Sequence, residues 1–173
     1  DEKLCSILNE IVSDYDLVIV TDYGHTMLTP SAVNILCDKA RFLVVNTQAN
    51  AGNRGFNTIS KYPRADYISL AHHEIALEVR HRKDDLEDMI TEVSKKLSCP
   101  LMTVTMGKEG SISYSDEEGF VRIPAFTSHV VDRVGAGDAV IAVSALYAAQ
   151  KAPIELIGFI GNVVGAQAVA ILG

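Results

Sequence analysis

The stretch DRVGAGDAV, residues 132–140, combines a turn of small residues with a carboxylate at the start of an apolar helix. Gly135 and Gly137 flank Ala136, so no large side chain blocks the backbone N–H groups of this turn. The first N–H groups of a helix have no acceptor within the helix, and the positive end of the helix dipole lies there, so a phosphate binds favourably. Asp138 adds a carboxylate that can take a proton from an attacking hydroxyl. The combination indicates phosphoryl transfer.

Two other interpretations of this stretch need weighing. The letters GAGDAV begin like the dinucleotide fingerprint GxGxxG, but Val140 stands where the third glycine belongs, and the turn lies far from a first βαβ unit. We reject that interpretation. An ordinary helix start, with Asp138 stabilised by the helix dipole, stays open for the motif taken alone.

The same stretch resembles the DTxGAGDxF motif of the ribokinase-like sugar kinases, the PfkB family. Arg133 and Val134 replace the usual small polar residues, and the matching positions are Asp132, Gly135, Ala136, Gly137 and Asp138. The resemblance implies that the Gly-Ala-Gly turn is the anion hole for the transferred phosphoryl group and that Asp138 is the catalytic base. It also implies that Asp132 assists charge or metal placement.

A second motif is TMGKEG, residues 105–110, between the apolar run PLMTVT and the segment SISYS. The pattern predicts a buried strand, a glycine turn and a second strand. It resembles the TxGxxG nucleotide loop of the same family. Thr105, Gly107 and Gly110 match, and the resemblance implies that they border the phosphates and ribose of ATP. A plain β-hairpin turn is the alternative.

A third motif lies in FIGNVVGAQAVAILG, residues 159–173, an apolar segment with helical character. It resembles the family's ANxAGAxxVxxxG stretch beside the adenine pocket. Asn162 matches and supplies an amide that can donate and accept hydrogen bonds. Close helix packing explains Gly161, Gly165 and Ala166 equally well, so only Asn162 is assigned to the nucleotide site.

A fourth motif, ISLAHHE, resembles the family's NxxE pattern, with Glu74 in place and Ala71 where the Asn belongs. The resemblance implies that Glu74 organises the water shell of a magnesium ion, which keeps much of its own water and phosphate ligation. Adjacent residues point to different sides of a helix or strand, so His72 and His73 do not favour a transition-metal site.

The segment DLVIVTDYGHTMLT resembles the DYxKGxLT region of the heptose-phosphate kinase branch of this family. His25 and Thr26 replace the Lys and Gly of that pattern, and the positions that keep it are Asp22, Tyr23, Leu28 and Thr29. The resemblance therefore implies a sugar or sugar phosphate as the acceptor and does not fix which one.

An amide-rich segment, NTQANAGNRGFN, residues 46–57, follows a predicted strand. Asn and Gly suit turns, so a purely structural loop is one interpretation. Because loops after strands carry ligands in α/β folds, a ligand loop is the other. The basic run RHRK, residues 80–83, precedes the acidic DDLED and indicates a solvated surface.

Strands and helices alternate along the chain, which predicts an α/β fold with a doubly wound, mainly parallel sheet and helices on both faces. Thr29 and Asp84 are predicted helix caps, and Pro30 a first helical residue. The predicted helices cover residues 2–12, 29–40, 72–80, 84–98, 139–150 and 159–173, and the strands 16–20, 41–46, 65–70, 100–105 and 111–115. The four motifs then fall at carboxyl ends of strands, where such sheets bind ligands.

Composition limits the function classes. With 173 residues, 48% of them hydrophobic, the chain can bury one core, and a net charge of −7 disfavours nucleic-acid binding. Neither a membrane span nor a secretory leader is visible. Three scattered cysteines, Cys5, Cys37 and Cys99, fit free thiols in a reducing compartment. We therefore expect a cytoplasmic location.

The resemblance covers residues 1–173 as a single ribokinase-like domain and maps to the C-terminal two thirds of a family member. It implies a fragment that lacks the N-terminal strands, the substrate-binding glycines and the lid, which often forms a homodimer contact in the full-length protein. The expected activity is transfer of phosphate from ATP, with Mg²⁺, to a hydroxyl of a sugar or sugar phosphate, and the fragment alone is expected to be inactive. Because fold does not fix function, the alternative is a non-catalytic nucleotide-binding regulatory or interaction module.

Overall fold

A six-stranded sheet forms the centre of the protein in a computed structural model, which describes residues 1–53, 55–80 and 85–171. Its strands are β1 (Val18–Asp22), β2 (Leu43–Thr47), β3 (Tyr67–Ala71), β4 (Leu101–Thr105), β5 (Ser111–Ser115) and β6 (Gly119–Ile123). They lie side by side in chain order, β1 to β4 parallel, with β5 and β6 each antiparallel to the preceding strand. The predicted mainly parallel sheet is confirmed.

The described residues include six α-helices: α1 (Glu2–Ile11), α2 (Pro30–Lys39), α3 (His72–Val79), α4 (Leu86–Lys96), α5 (Ala136–Ala149) and α6 (Ile154–Ala168). Short 3-10 helices cover Val12–Asp14, Ile59–Lys61 and Gly107–Glu109. The start of α2 follows the prediction, because the Thr29 hydroxyl accepts the Ala32 N–H at 3.4 Å and Pro30 opens the helix.

Alternation along the strands divides the buried apolar side chains between two cores. Leu43 and Val45 point to one face, where they pack with residues of α2, α3 and α4. Val44 points to the other face and packs with Tyr67 and with Ile141 of α5. Helices therefore cover both faces, and removal of these side chains from water is the main stabilising contribution.

Several boundaries differ from the sequence prediction. Strand β6 was not predicted, because GFVRI carries Arg122 on an exposed position. Helix α5 begins at residue 136, three residues before the predicted start, and α6 begins at residue 154, because Pro153 can precede a helix without loss of a donor. The cap of α4 is Asp85, whose carboxylate accepts the Glu87 N–H at 2.8 Å; the predicted cap Asp84 lies outside the described residues.

The carboxyl ends of β1 to β4 meet at one edge of the sheet, because these strands are parallel. The loops after β1 and β2, the start of α3 and the β4–β5 turn all leave from this edge. The start of α5 lies there too, since Asp138 contacts the loop after β1. The predicted motifs thus share one edge. In the part of the chain that is described, no helix has the length and apolarity needed to cross a membrane.

Candidate functional site

The turn before α5 presents unpaired backbone donors, as predicted. Gly135 adopts a left-handed backbone with φ of 75° and places the chain at the helix start. The Ala136 N–H donates to Arg133 O at 3.3 Å. Among the described residues, the N–H groups of Gly137 and Asp138 have no acceptor. The Gly135 N–H likewise has no acceptor in the described structure, so the free donors of the turn are those of Gly135, Gly137 and Asp138, which include two of the predicted residues 135–137.

Asp138 is the third residue of α5, and its carboxylate points away from the N–H groups of its own helix. Its Oδ2 accepts the Tyr23 hydroxyl at 2.8 Å, and its Oδ1 accepts the Gln48 side-chain amide at 3.2 Å. Helix α5 has no side-chain cap hydrogen bond. Asp138 nevertheless lies in its first turn, where the helix dipole stabilises a carboxylate, so the ordinary helix start stays open as the alternative. The bond to Asp138 raises the pKa of the Tyr23 phenol, because the neighbouring carboxylate disfavours a second negative charge.

A cavity of about 540 Å³ opens beside this turn, between the ends of β3 and β4, the loop after β6, and helices α5 and α6. Six of the predicted site residues line it together: Thr105, Gly107, Gly110, Ala136, Gly137 and Asn162. The other four, Glu74, Asp132, Gly135 and Asp138, do not line the cavity. The nucleotide motifs and part of the anion turn thus share one space, with Asp138 next to it.

The charge of the cavity lining is opposite to that of the whole chain. His72, His73, Lys108 and Arg133 line the cavity, and no Asp or Glu does so among the described residues. This contrasts with the net charge of −7. The side chains of Lys108 and Arg133 form no hydrogen bond or ion pair with the residues that the structure describes. The lining therefore suits an anionic ligand.

The rest of the cavity wall is largely apolar, with Met106, Phe126, Val130, Val140 and Val169 among its residues. The Phe126 ring packs edge-on against Phe159 of α6, with 5.2 Å between the ring centroids. A wall of this kind accommodates a flat heterocycle.

The turn between β4 and β5 is a hairpin turn and a cavity wall at once. A Cβ on Gly110 would lie 2.0 Å from Ile123 O and 2.7 Å from Ala125 N, so the chain leaving β6 requires a glycine there. By contrast, a Cβ on Gly107 would have open space within 4 Å. The structure thus agrees with the hairpin alternative, and the nucleotide contacts of this turn remain a prediction.

Asn162 joins α6 to the sheet. Its amide nitrogen donates to the Ser111 hydroxyl at 2.8 Å and to Ile123 O at 3.4 Å, which uses both amide protons inside the protein. Only the amide oxygen is left for a ligand, so the predicted nucleotide contact is restricted to acceptance of a hydrogen bond. A Cβ on Gly161 or Gly165 would come within 3.3 or 3.1 Å of Val140, which agrees with the close helix packing considered for them.

Glu74 connects two loops at this edge. Its Oε2 accepts the Ala71 N–H at 2.8 Å, and its Oε1 accepts the Ala49 N–H at 3.1 Å. Burial raises the pKa of Glu74, and the negative charge of Asp138 adds to this effect, while the two N–H groups oppose it. Ala71 thus binds Glu74 through its backbone N–H, although it lacks the side chain of the family's Asn.

The two predicted metal ligands, Glu74 and Asp132, each accept hydrogen bonds from backbone N–H groups. The Asp132 carboxylate accepts the Val134 N–H at 3.0 Å, and its own N–H donates to Val169 O at 3.2 Å, which shapes the entry to α5. No group of three His, Cys, Asp or Glu side chains that could hold a metal occurs in the described parts of the chain. The donors present fit a hydrated divalent cation, since Glu74 and Asp138 repel each other and a cation would offset this repulsion.

The amide-rich loop after β2 binds the protein's own backbone. Tyr23 O accepts the Asn50 amide at 2.9 Å and the Asn53 amide at 2.7 Å. The Asn57 amide donates to Asp22 O at 2.8 Å. Arg54 lies outside the described residues. Asn50, Asn53 and Asn57 therefore hold the loop after β1, and the ligand contacts of this loop remain a prediction. Amide richness pointed to the segment that includes Gln48, but no sequence signal pointed to the contact of Gln48 with Asp138.

Comparison with known proteins gives consistent results. The family described as "pfkB family carbohydrate kinase" matches residues 29–173. The bifunctional protein HldE of Campylobacter jejuni is 27% identical over 176 residues, which cover 100% of this chain and 37% of that protein. HldE of Citrifermentans bemidjiense is 28% identical, with 92% of this chain and 33% of that protein covered. The chain thus spans about a third of the length of these relatives.

Solved structures show the same fold. Phosphofructokinase-2 from Escherichia coli, in complex with potassium, superposes with a TM-score of 0.81 at 15% identity, covering 99% of this chain and 56% of that one. Ribokinase from Arabidopsis thaliana, complexed with ribose and ATP, superposes with a TM-score of 0.73 at 19% identity, covering 100% of this chain and 54% of that one. At these identities, the similarity demonstrates a shared ribokinase-like fold.

Proposed function

The chain belongs to the pfkB family of carbohydrate kinases, and we propose that it carries the nucleotide site and the general base of an ATP-dependent kinase that acts on a sugar or sugar phosphate. One observation supports this most. The Asp138 carboxylate lies directly beside a helix start whose Gly137 and Asp138 N–H groups have no acceptor in the described structure. A base next to an anion-binding turn is the arrangement that phosphoryl transfer to a hydroxyl requires.

In the proposed reaction, Asp138 accepts the proton of the sugar hydroxyl while the hydroxyl oxygen attacks the γ-phosphorus of ATP. The bond from that phosphorus to the β–γ bridging oxygen breaks, and ADP leaves with the electron pair. The free N–H groups of Gly135, Gly137 and Asp138 stabilise the charge on the migrating phosphoryl group, and Ala136 helps to shape the turn that exposes them.

The nucleotide is proposed to lie in the cavity beside the turn. Thr105, Gly107 and Gly110 border its phosphates and ribose, and Asn162 accepts a hydrogen bond. Lys108 and Arg133 have no ionic partner among the described residues and are available to balance phosphate charge. The apolar part of the lining contacts the base.

Magnesium is proposed as the metal, with Glu74 and Asp132 holding its water shell, and it would neutralise phosphate charge when bound. The three cysteines are free thiols in the structure, and burial raises the pKa of Cys99 to about 12. Cysteines that stay as free thiols support the proposed cytoplasmic location.

The substitution Asp138→Asn tests the proposal in the intact gene product. Asn keeps the size and shape of the side chain but cannot accept the proton, so we expect kcat to fall by about 10² to 10⁴-fold. ATP affinity should be kept or slightly improved, because a negative charge beside the phosphates is removed. Steady-state sugar phosphorylation and ATP titration measure both quantities.

Asp88→Asn is the matched control, because Asp88 is also the third residue of its helix and is exposed. It should leave kcat unchanged. Near-normal kcat in Asp138→Asn would remove Asp138 from the mechanism and would favour a non-catalytic nucleotide-binding module. We also propose that the 173 residues alone bind Mg-ATP but do not turn over a sugar, which calorimetry and an ADP-release assay would check.

A further inference from the structure

We infer that Tyr23 is a positioning residue, which together with Gln48 holds the Asp138 carboxylate in place for proton transfer. This inference rests on the proposed role of Asp138 as the base. Tyr23 and Gln48 lie 115 and 90 positions before Asp138 in the chain, yet each binds a different carboxylate oxygen, at 2.8 and 3.2 Å. The two donors come from the loops after the neighbouring strands β1 and β2.

A contact at both oxygens fixes the plane of a carboxylate as well as its position. Each carboxylate oxygen has two acceptor sites, so one site on each oxygen stays free for the acceptor hydroxyl. Tyr23 and Gln48 therefore restrain Asp138 without using its capacity to accept a proton. A catalytic carboxylate needs support from neighbouring residues, since small displacements of a reacting group strongly lower the reaction rate.

Tyr23 is itself restrained by the amide-rich loop. Its carbonyl oxygen accepts the side-chain amides of Asn50 and Asn53, at 2.9 and 2.7 Å. The two loops approach so closely that a Cβ on Gly24 would lie 2.3 Å from the Asn53 amide nitrogen. The Tyr23 ring stacks on His25, with 6.2 Å between the ring centroids. The amides of the loop thus act on Asp138 through Tyr23.

The contact between Tyr23 and Asp138 is not forced by burial. Tyr23 keeps 38% of its surface exposed, so its hydroxyl could be satisfied by water instead. Neither Tyr23 nor Gln48 lines the nucleotide cavity. Loss of the Tyr23 hydroxyl should therefore change the chemical step and leave nucleotide binding unchanged.

The first test measures Tyr23→Phe in the intact gene product, because Phe keeps the ring and the backbone carbonyl. We expect kcat to fall about tenfold, with KM for ATP unchanged. Tyr15→Phe is the control, since Tyr15 is exposed and its hydroxyl makes no hydrogen bond within the described residues. In an Asp138→Asn background, Tyr23→Phe should cause no further loss, because a residue that acts through Asp138 has no effect without it.

The second test observes the contact directly. In protein labelled with ¹³C at the tyrosine Cζ atoms, the Tyr23 resonance should titrate at lower pH in Asp138→Asn than in the wild type, because the carboxylate raises the pKa of Tyr23. Asn53→Ala, which leaves the Tyr23 hydroxyl intact, should reproduce part of the kcat loss. Circular dichroism confirms that each variant is folded.

The outcomes separate the two proposals. If Asp138→Asn loses activity while a folded Tyr23→Phe matches the wild type in kcat, the inference about Tyr23 is wrong and the proposed base stands. If Tyr23→Phe lowers kcat equally with and without Asp138, Tyr23 does not act through the carboxylate. If Asp138→Asn retains normal kcat, both the base and its positioning residue are wrong.

Discussion

Lys61 and Asp22 form an ion pair at the end of β1, with 2.7 Å between Nζ and Oδ2. The same oxygen accepts the Tyr62 hydroxyl at 2.8 Å, and Oδ1 accepts the Gly24 N–H at 2.9 Å. Burial alone raises the pKa of Asp22, but these hydrogen bonds outweigh burial and hold the pKa below its ordinary value of 3.8. Asp22 therefore anchors the loop that carries Tyr23.

The ion pair predicts a pH-dependent contribution to stability. Because the pKa of Asp22 is lower in the folded state, its stabilising effect is fully present above about pH 3.8 and is lost as the pH falls below that value. Asp22→Asn should lower the free energy of unfolding by about 1.5 to 3 kcal/mol at pH 7, since it weakens hydrogen bonds to a buried charge. Urea unfolding at several pH values measures this difference.

Asp16→Asn is the control for this series, because the Asp16–Arg41 pair lies on the surface and should contribute little. The difference in the free energy of unfolding between the wild type and Asp22→Asn should become smaller below pH 3.8. A difference that stays constant down to acidic pH would show that the charge of Asp22 does not cause the stabilisation.

Much of the architecture around this pair could be predicted from the sequence, because it depends on local signals. Short apolar segments indicated β1 to β4, the segment SISYS indicated β5, and Thr29 with Pro30 indicated the start of α2. Strand β6 escaped prediction because its stability comes from pairing with β5, with Arg122 opposite Ile112, and not from its own pattern.

The candidate site, like the fold, could be predicted only in part from the sequence. The position of Asp138 beside the glycine turn followed from adjacent residues in the sequence. The bonds from Tyr23 and Gln48 to Asp138 could not be predicted, since they join residues far apart in the chain and leave no periodic signal. Amide richness marked the loop after β2, but its partner, the carbonyl of Tyr23, is visible only in three dimensions.

Two glycines with left-handed backbones should respond differently to substitution. Gly119→Ala should lower the free energy of unfolding by about 1 kcal/mol, which is the usual penalty for an L-residue in this conformation. No further loss is expected, because a Cβ there meets nothing within 4 Å. Gly110→Ala should lower the free energy of unfolding clearly more, because its Cβ would lie 2.0 Å from Ile123 O. Urea unfolding of both variants checks this. Equal losses of stability in the two variants would mean that the chain leaving β6 does not exclude a Cβ at Gly110.

Arg133 should strengthen nucleotide binding through its charge. Its side chain lines the cavity and has no ionic partner in the described residues. Arg133→Thr should weaken ATP binding about five- to tenfold at low salt, and the difference should shrink at high salt because exposed charges are screened. Isothermal calorimetry at two ionic strengths measures both effects, with Arg41→Thr as the surface control. Unchanged affinity at low salt would exclude Arg133 from the phosphate site.

Gly137 offers a test in which stability and binding should change in opposite directions. It is the second residue of α5, lines the cavity, and a Cβ there would meet no protein atom within 4 Å. Gly137→Ala should raise the free energy of unfolding by about 0.5 to 1 kcal/mol, because Ala favours the helix and restricts the unfolded chain. The added methyl group should also occupy space beside the free N–H groups and weaken ATP binding.

Asn9→Ala is the matched control for Gly137→Ala, because this replacement also improves helix propensity. Asn9 is an exposed residue of α1 and is distant in sequence from the residues that line the cavity. It should stabilise the protein without changing ATP affinity. Thermal unfolding and calorimetry on the same samples give both quantities. If Gly137→Ala stabilises the protein and binds ATP as tightly as the wild type, the phosphate does not lie against residue 137. If binding weakens while stability rises, the glycine is retained for ligand access at the expense of helix stability, as an anion hole requires.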